Sequence, residues 1–172
     1  LDVWVVAIAT DGALSAPQVI TSENLSADMQ PAYSPDGQSI AYLAQKVPGY
    51  ESDRVRVMIY SRANGTARTL TEEWDRSMGS LVWLPDSSGM YVTVGEHARE
   101  KIYQLQLDGS HSVVVAEHAA SSMNVLSGAD IVFMYESMME PANIFRSSSG
   151  GALTQITHFN GESGGGGGRG CC

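Results

Sequence analysis

A recurring turn constrains this chain more than any other feature. Tyr33-Ser34-Pro35-Asp36-Gly37-Gln38-Ser39-Ile40-Ala41-Tyr42 returns in altered form as Trp83-Leu84-Pro85-Asp86-Ser87-Ser88-Gly89-Met90-Tyr91-Val92, 50 residues later. Each copy places an aromatic before a Pro-Asp turn and an apolar run after it. Pro35 presets the φ of a type I turn, and Gly37 closes that turn without a Cβ clash. A second landmark is interleaved with the first. Asp11-Gly12, Asn64-Gly65, Asp108-Gly109 and Gly150-Gly151 lie between β-like runs at spacings of 53, 44 and 42 residues. Such pairs favour the positive φ of tight hairpins. Ile20-Thr21, Leu70-Thr71, Val115-Ala116 and Ile156-Thr157 follow these turns, each ending a short strand.

These marks predict a repeating four-stranded unit. Val3–Ala9 and Gln18–Thr21 read as the last two strands of an incomplete first unit. A full unit follows, with strands near Ala32, Ile40–Ala44, Val55–Tyr60 and Ala67–Leu70. The next uses Leu81–Leu84, Tyr91–Val94, Ile102–Leu107 and Val113–Ala116. The last uses Met123–Leu126, Ile131–Tyr135, Asn143–Arg146 and Leu153–Ile156. The runs are rich in Val, Ile, Tyr and Leu and too short for typical helices. Four strands in roughly 40 to 50 residues is the period of a β-propeller blade. A β-sandwich also has strands every 8–12 residues, but two landmarks recurring in one order favour the propeller. The expected fold is all-β, a partial β-propeller of about three and a half blades over residues 1–160, with blade breaks near 29, 79 and 121. Known propellers close with about 4–8 blades, so the chain is expected to be an open arc with uncovered apolar faces at both ends. From 161 to 172 the composition changes. Five consecutive glycines, Gly164–Gly168, and the terminal Cys171-Cys172 predict a flexible tail: a linker, a cloning scar or the product of an altered reading frame.

Nineteen acidic against ten basic residues give a net charge of -9, which argues against nucleic acid as a partner. No apolar run approaches the roughly 20 residues of a membrane span. No Walker or Rossmann glycine loop is present, and His97, His111, His118 and His158 are scattered without metal-ligand spacing. Neither cofactor nor metal is expected. Gly161-Glu162-Ser163-Gly164-Gly165 satisfies G-x-S-x-G, but no Asp or His follows it and a glycine run is a poor start for the required helix. No catalytic residue is assigned. Asn24-Leu25-Ser26 and Asn64-Gly65-Thr66 are glycosylation sequons that permit secretion. The long Lys46–Arg54 connection holds Tyr50, Glu51, Asp53 and Arg54. A carboxylate there has the chemistry to hold a substrate's amino group. The competing reading is a brace between Asp53 and Arg54 or Arg56. Asp75 and Arg76 carry the same two readings.

Several stretches between the repeats are more specific. Pro48-Gly49-Tyr50-Glu51-Ser52-Asp53-Arg54, Trp74-Asp75-Arg76-Ser77, Pro141-Ala142-Asn143-Ile144-Phe145 and Leu153-Thr154-Gln155-Ile156-Thr157-His158-Phe159-Asn160 together resemble the propeller of the prolyl oligopeptidase family, in its acylaminoacyl-peptidase and dipeptidyl-peptidase V branch. The resemblance runs from Gln30 to Asn160. It implies a propeller that covers the active site of a following α/β-hydrolase domain and admits short peptides to its Ser-His-Asp triad. The parent would be a serine peptidase, its hydrolase domain the partner of this propeller, secreted or periplasmic. Glu72-Glu73 is similar to the glutamate pair by which some dipeptidyl peptidases hold an amine, but its surroundings do not match. The Pro-Asp-Gly turn is shared with TolB-like propellers, so a protein-binding module is the alternative function. A truncated structural or regulatory paralogue is a third.

Overall fold

The computed structural model describes residues 1–117, 119–137, 141–148 and 152–158. Strands β1 (Trp4–Val5) and β2 (Gln18–Val19) form a two-stranded ribbon. Strands β3 (Asp28–Tyr33), β4 (Ser39–Ala44), β5 (Arg56–Ser61) and β6 (Thr66–Thr69) form an antiparallel sheet in chain order. The same arrangement recurs in β7 (Met78–Trp83), β8 (Gly89–Glu96), β9 (Arg99–Gln106) and β10 (His111–Val115). It recurs again in β11 (Ala119–Val125), β12 (Ile131–Glu136), β13 (Asn143–Ser147) and β14 (Leu153–Gln155). The chain is thus all-β: half a blade followed by three four-stranded antiparallel blades. One parallel bridge, Ala119 to Glu100, joins the second and third blades into a continuous sheet.

The strand bounds differ from the sequence reading at several strands: β8 and β9 are longer than expected, and the first strand and the innermost strands differ most in kind. The first strand is only Trp4–Val5, with an isolated bridge between Ile8 and Leu14 beyond it. Cross-ribbon bonding continues past β1, from Ser15 N–H to the Ala7 carbonyl at 2.9 Å and from Ala9 N–H to the Ala13 carbonyl at 2.8 Å, but without the regular register of a strand. The innermost strand of each full blade is longer than expected, because each carries a β-bulge: between Met29 and Ala32, between Met78 and Leu81, and between Ser121 and Asn124. Gln30 and Ser122 take positive φ at two of these bulges. A bulge absorbs residues that a regular strand resists.

The turns follow from side-chain chemistry. Asp11, Asp36, Asp86 and Asp108 each accept, through Oδ1, the backbone N–H two residues on, at 2.9, 2.9, 3.0 and 2.9 Å. These are Asx turns, in which the carboxylate mimics a backbone acceptor. The threonines that end the outer strands have an equally local reason. Thr21 Oγ1 accepts the N–H of Val3, Thr71 Oγ1 that of Val57, and Thr157 Oγ1 that of Ile144. Each hydroxyl pins the loop after an outer strand to the strand beside it. The second blade has Ala116 at this point and lacks that bond. The Gly150-Gly151 turn and the tail from 161 lie outside the described residues.

Packing occurs in the seams between blades. Ala41, Leu43, Val57 and Ile59 of the first blade meet Met78, Trp83, Met90, Val92, Val94 and Leu105 of the second. On the second blade's other face, Tyr91 and Ile102 meet Ile131, Phe133 and Tyr135 of the third. Strand β8 is covered on both faces, which is why Gly89–Val94 are all buried and, Thr93 apart, without a polar side chain on either face. The seam between the half-blade and the first blade is thinner: Val3 meets Tyr42 and Ala44, flanked by Ile20, Met58 and Tyr60. Apolar side chains are left in solvent at both ends of the arc, Leu1, Trp4 and Ile8 at one and Met134, Ile144 and Ile156 at the other.

Candidate functional site

The charged groups named from sequence gather where the β4–β5 connection meets the loop between the first two blades. Asp53 closes the long connection on itself. One carboxylate oxygen, Oδ2, accepts the N–H of Lys46 and of Val47, the latter at 2.9 Å, and lies 3.3 Å from Arg56 Nη1. These two backbone donors, reinforced by Arg56, hold the Asp53 carboxyl well below the usual carboxylate range, at about 2. Gln45 Nε2 donates to the carbonyls of Glu51 and Asp53 at 3.0 and 3.1 Å, completing the fastening. Arg54 turns towards the next blade and donates to the carbonyls of Trp74 and Glu72 at 2.7 and 2.8 Å. Arg56 donates to the Arg54 carbonyl at 2.6 Å and pairs with Glu72 at 3.4 Å.

The remaining candidates sit further out. Glu51 is exposed at the tip of the loop, beside the exposed rings and stems of Tyr50 and Val47. The Asp75 side chain is 98% exposed and its carboxylate is 4.0 Å from Arg54 Nη1. Arg76 reaches the second blade, where it lies 3.3 Å from Glu96 Oε1. Glu72 is engaged by Lys46 at 3.3 Å as well as by Arg56, so the Glu72-Glu73 pair does not present two free acids. Ser163 and His118 lie outside the described residues. Among the described residues no three His, Cys, Asp or Glu side chains are placed to hold a metal ion.

Sequence reading overlooked the hub of this network. Glu96 accepts from Lys101 at 2.7 Å and from the Tyr103 hydroxyl at 3.0 Å. Those two partners, with Arg76, hold its carboxyl at about 2. The register Glu96 to Arg99, with Lys101 and Tyr103 two and four residues further along β9, is a legible cue once the hairpin is known. Beside it the Trp74 indole stacks on the His111 ring at 3.6 Å and meets Tyr103 edge-on at 4.9 Å. The result is a braced, highly charged rim whose exposed acids, among the described residues, include Glu51, Glu73 and Asp75.

Known proteins can be set beside this geometry. No family model matches the chain. A stretch of 98 residues, 55% of the chain, is 37% identical to dipeptidyl-peptidase 5 of Trichophyton equinum. The match spans 14% of that protein's length, and the same holds for dipeptidyl-peptidase 5 of Arthroderma otae. Among solved structures, TolB from Acinetobacter baumannii covers 91% of the chain at a TM-score of 0.67 and 21% identity, with 38% of TolB covered. The acylaminoacyl peptidase of Pyrococcus horikoshii covers 86% at 0.67 and 18% identity, with 22% of it covered. The structural likenesses carry the fold, and the dipeptidyl-peptidase likeness is one of sequence over those 98 residues. Together they define the class: a partial β-propeller, similar in sequence over part of its length to dipeptidyl-peptidase 5.

Proposed function

We propose that this chain is the non-catalytic propeller portion of a serine exopeptidase of dipeptidyl- or acylaminoacyl-peptidase type. It gates and positions short peptides for an α/β-hydrolase domain of the same parent chain. The observation that carries this reading is the 37% identity to dipeptidyl-peptidase 5 over 98 residues. The rim supports it: Asp53, Arg54 and Arg76 spend their charge on holding loops, which leaves Glu51 and Asp75 to meet a substrate's ammonium group. A charge-assisted hydrogen bond of that kind is worth roughly 1.5–3 kcal/mol.

Two measurements test the proposal. A fluorophosphonate probe should leave Ser163 of this chain unlabelled, and the chain alone should hydrolyse no peptide; stoichiometric labelling there would place catalysis within this chain. In the parent enzyme, Glu51→Gln or Asp75→Asn should lower kcat/KM for free-amino peptides about tenfold or more while sparing N-acylated ones. Equal losses on both substrates would leave these acids a structural role only. A TolB-like protein-binding module is the second reading, favoured by the 91% coverage of this chain by TolB. A reading frame that ends after the propeller, without a Ser-Asp-His domain, would decide for it.

A further inference from the structure

The first and second blades are built on the same frame, so their seams can be compared position by position. Asp28, Ala44 and Arg56 lie in one cross-strand row, and Met78, Val94 and Lys101 form the matching row one blade later. The 50-residue offset that relates Tyr33 to Trp83 also relates Asp28 to Met78 and Asn24 to Trp74. By the same registers Met58 answers Tyr103, and Ala67 answers His111. The second seam is filled by the Trp74–His111–Tyr103 stack. The first has Asn24, Ala67 and Met58 at those positions, and a cleft of about 910 Å³ stands there instead, lined by all three.

The polar chemistry of that cleft is not what a vacated apolar seam would have. Asp28 replaces a buried methionine and is itself only 4% exposed. Its Oδ1 accepts from Asn24 Nδ2 at 2.8 Å. Its Oδ2 makes no well-formed hydrogen bond among the described residues, the Thr21 hydroxyl beside the carboxyl already serving Val3 N–H, and Arg56 Nε has only the ion-pair contact with Glu72 at 3.4 Å. Among the described residues these are the buried side-chain atoms without a well-formed hydrogen bond, and both residues line this one cleft. Burial pushes the Asp28 carboxyl up, against the hydrogen bonding of Asn24 and Thr21. A buried carboxylate oxygen without a donor costs free energy, and a sequence that keeps it beside an open cleft breaks a packing rule its own second blade obeys.

We infer that the cleft between the half-blade and the first blade binds an α-amino acid or the amino end of a short peptide, its ammonium group on Asp28. The ammonium supplies the donor that Oδ2 lacks. An adjacent carbonyl or carboxylate oxygen faces the Arg56 guanidinium, which lines the same cleft while holding Glu72, and a small apolar side chain rests against Met58, Ala67 and Tyr60. The volume is within the range of small-ligand sites, about 300–1,000 Å³. This inference does not depend on the peptidase reading, since neither Glu51 nor Asp75 lines the cleft, although Lys46 and Arg56 of the rim do, and it needs no hydrolase domain.

Titration calorimetry on this chain with alanine, Ala-Ala and N-acetyl-Ala-Ala tests it. Alanine or Ala-Ala should bind, and N-acetylation should weaken binding by about tenfold or more, the value of a lost charged hydrogen bond. Binding of alanine alone would mark an amino-acid site, and preference for Ala-Ala a peptide-end site. Asp28→Met, which installs the second blade's residue, should abolish binding while the melting temperature stays level or rises. The double variant Asn24→Trp, Ala67→His should do the same by filling the cleft. Undiminished binding in Asp28→Met, equal binding of the acetylated peptide, or no heat from either free ligand at about 10 mM, beyond the weak end of specific affinity, would overturn the inference.

Discussion

The two seams on either side of the first blade share a hydrogen-bonded frame and differ in filling. In both, a threonine hydroxyl pins the loop at 3.0 Å, through Thr21 to Val3 and through Thr71 to Val57. In both, the chain re-enters the next blade by a main-chain bond, Asp28 to the Leu1 carbonyl and Met78 to the Val55 carbonyl, at 3.0 and 3.1 Å. The frame is therefore fixed by backbone pairing and one hydroxyl, and it does not need a full apolar seam. The filling is free to vary: aromatic stacking in one seam, a polar cleft in the other. Turns and caps hold a propeller's geometry locally, so an individual seam can depart from the packed pattern without losing the blade.

The sharpest way to break this comparison is at the aromatic that precedes each Pro-Asp turn. Trp83 is 6% exposed and donates through Nε1 to the Ala32 carbonyl at 3.0 Å, whereas Tyr33 is 51% exposed. Trp83→Ala should cost about 3–5 kcal/mol in denaturant unfolding. Tyr33→Ala should change stability by about 1 kcal/mol or less, as an exposed position does. Comparable losses would mean the two seams are not packed differently. Next in size, Thr21→Val and Thr71→Val each leave a buried N–H without its acceptor, at about 1–3 kcal/mol. Their agreement to within about 0.5 kcal/mol would confirm a common frame, the usual margin for independent sites. Smaller again is Trp74→Ala, which removes the stack on His111 from a half-buried position and should cost about 1–2 kcal/mol. Asn24→Ala should instead loosen Asp28, whose Oδ1 it serves, and raise that carboxyl further.

The smallest effect at neutral pH is the acid response. Asp53 and Glu96 have folded carboxyls held at about 2, below their unfolded range. Their stabilisation is present above about pH 4.5 and is lost as pH falls towards 2, because the unfolded chain takes up protons first. The raised Asp28 carboxyl runs the other way and favours the folded state as it protonates. Asp53→Asn with Glu96→Gln should flatten the loss of melting temperature between about pH 4.5 and 2. Asp28→Asn should steepen the net loss on acidification, since the opposing gain disappears. An unchanged acid limb in both would remove these carboxyls from the account.

Much of the fold could be read from the chain because its cues are local. Asp-Gly and Pro-Asp-Gly dictate their own turns, and alternating or continuous apolar runs dictate strand placement. What escaped was set by neighbours in space. Gln30 and Pro31 do not suit a regular strand, yet they lie in β3 because a bulge accommodates them between Met29, paired to Leu43, and Ala32, paired to Ala41; Asp28 pairs regularly with Ala44. The candidate site was legible in its residue types and not in their commitments. Asp53 and Arg54 stood out as charges in a long loop, but only geometry reveals that main-chain groups already occupy them. Asp28 had one sequence signal: at the repeat's own offset, an acid stands where its counterpart is methionine.

The parallel bridge between Ala119 and Glu100 has a consequence for how the molecule opens. It makes the second and third blades one continuous ladder, while the first blade and the half-blade are joined to their neighbours by side chains and a few loop bonds. Amide protons of β7–β9 and β11–β13 would then exchange in a single slow cooperative opening, with those of β1 and β2 released far sooner. The arc has a stiff half and a labile half, and proteolysis would enter it from the ribbon.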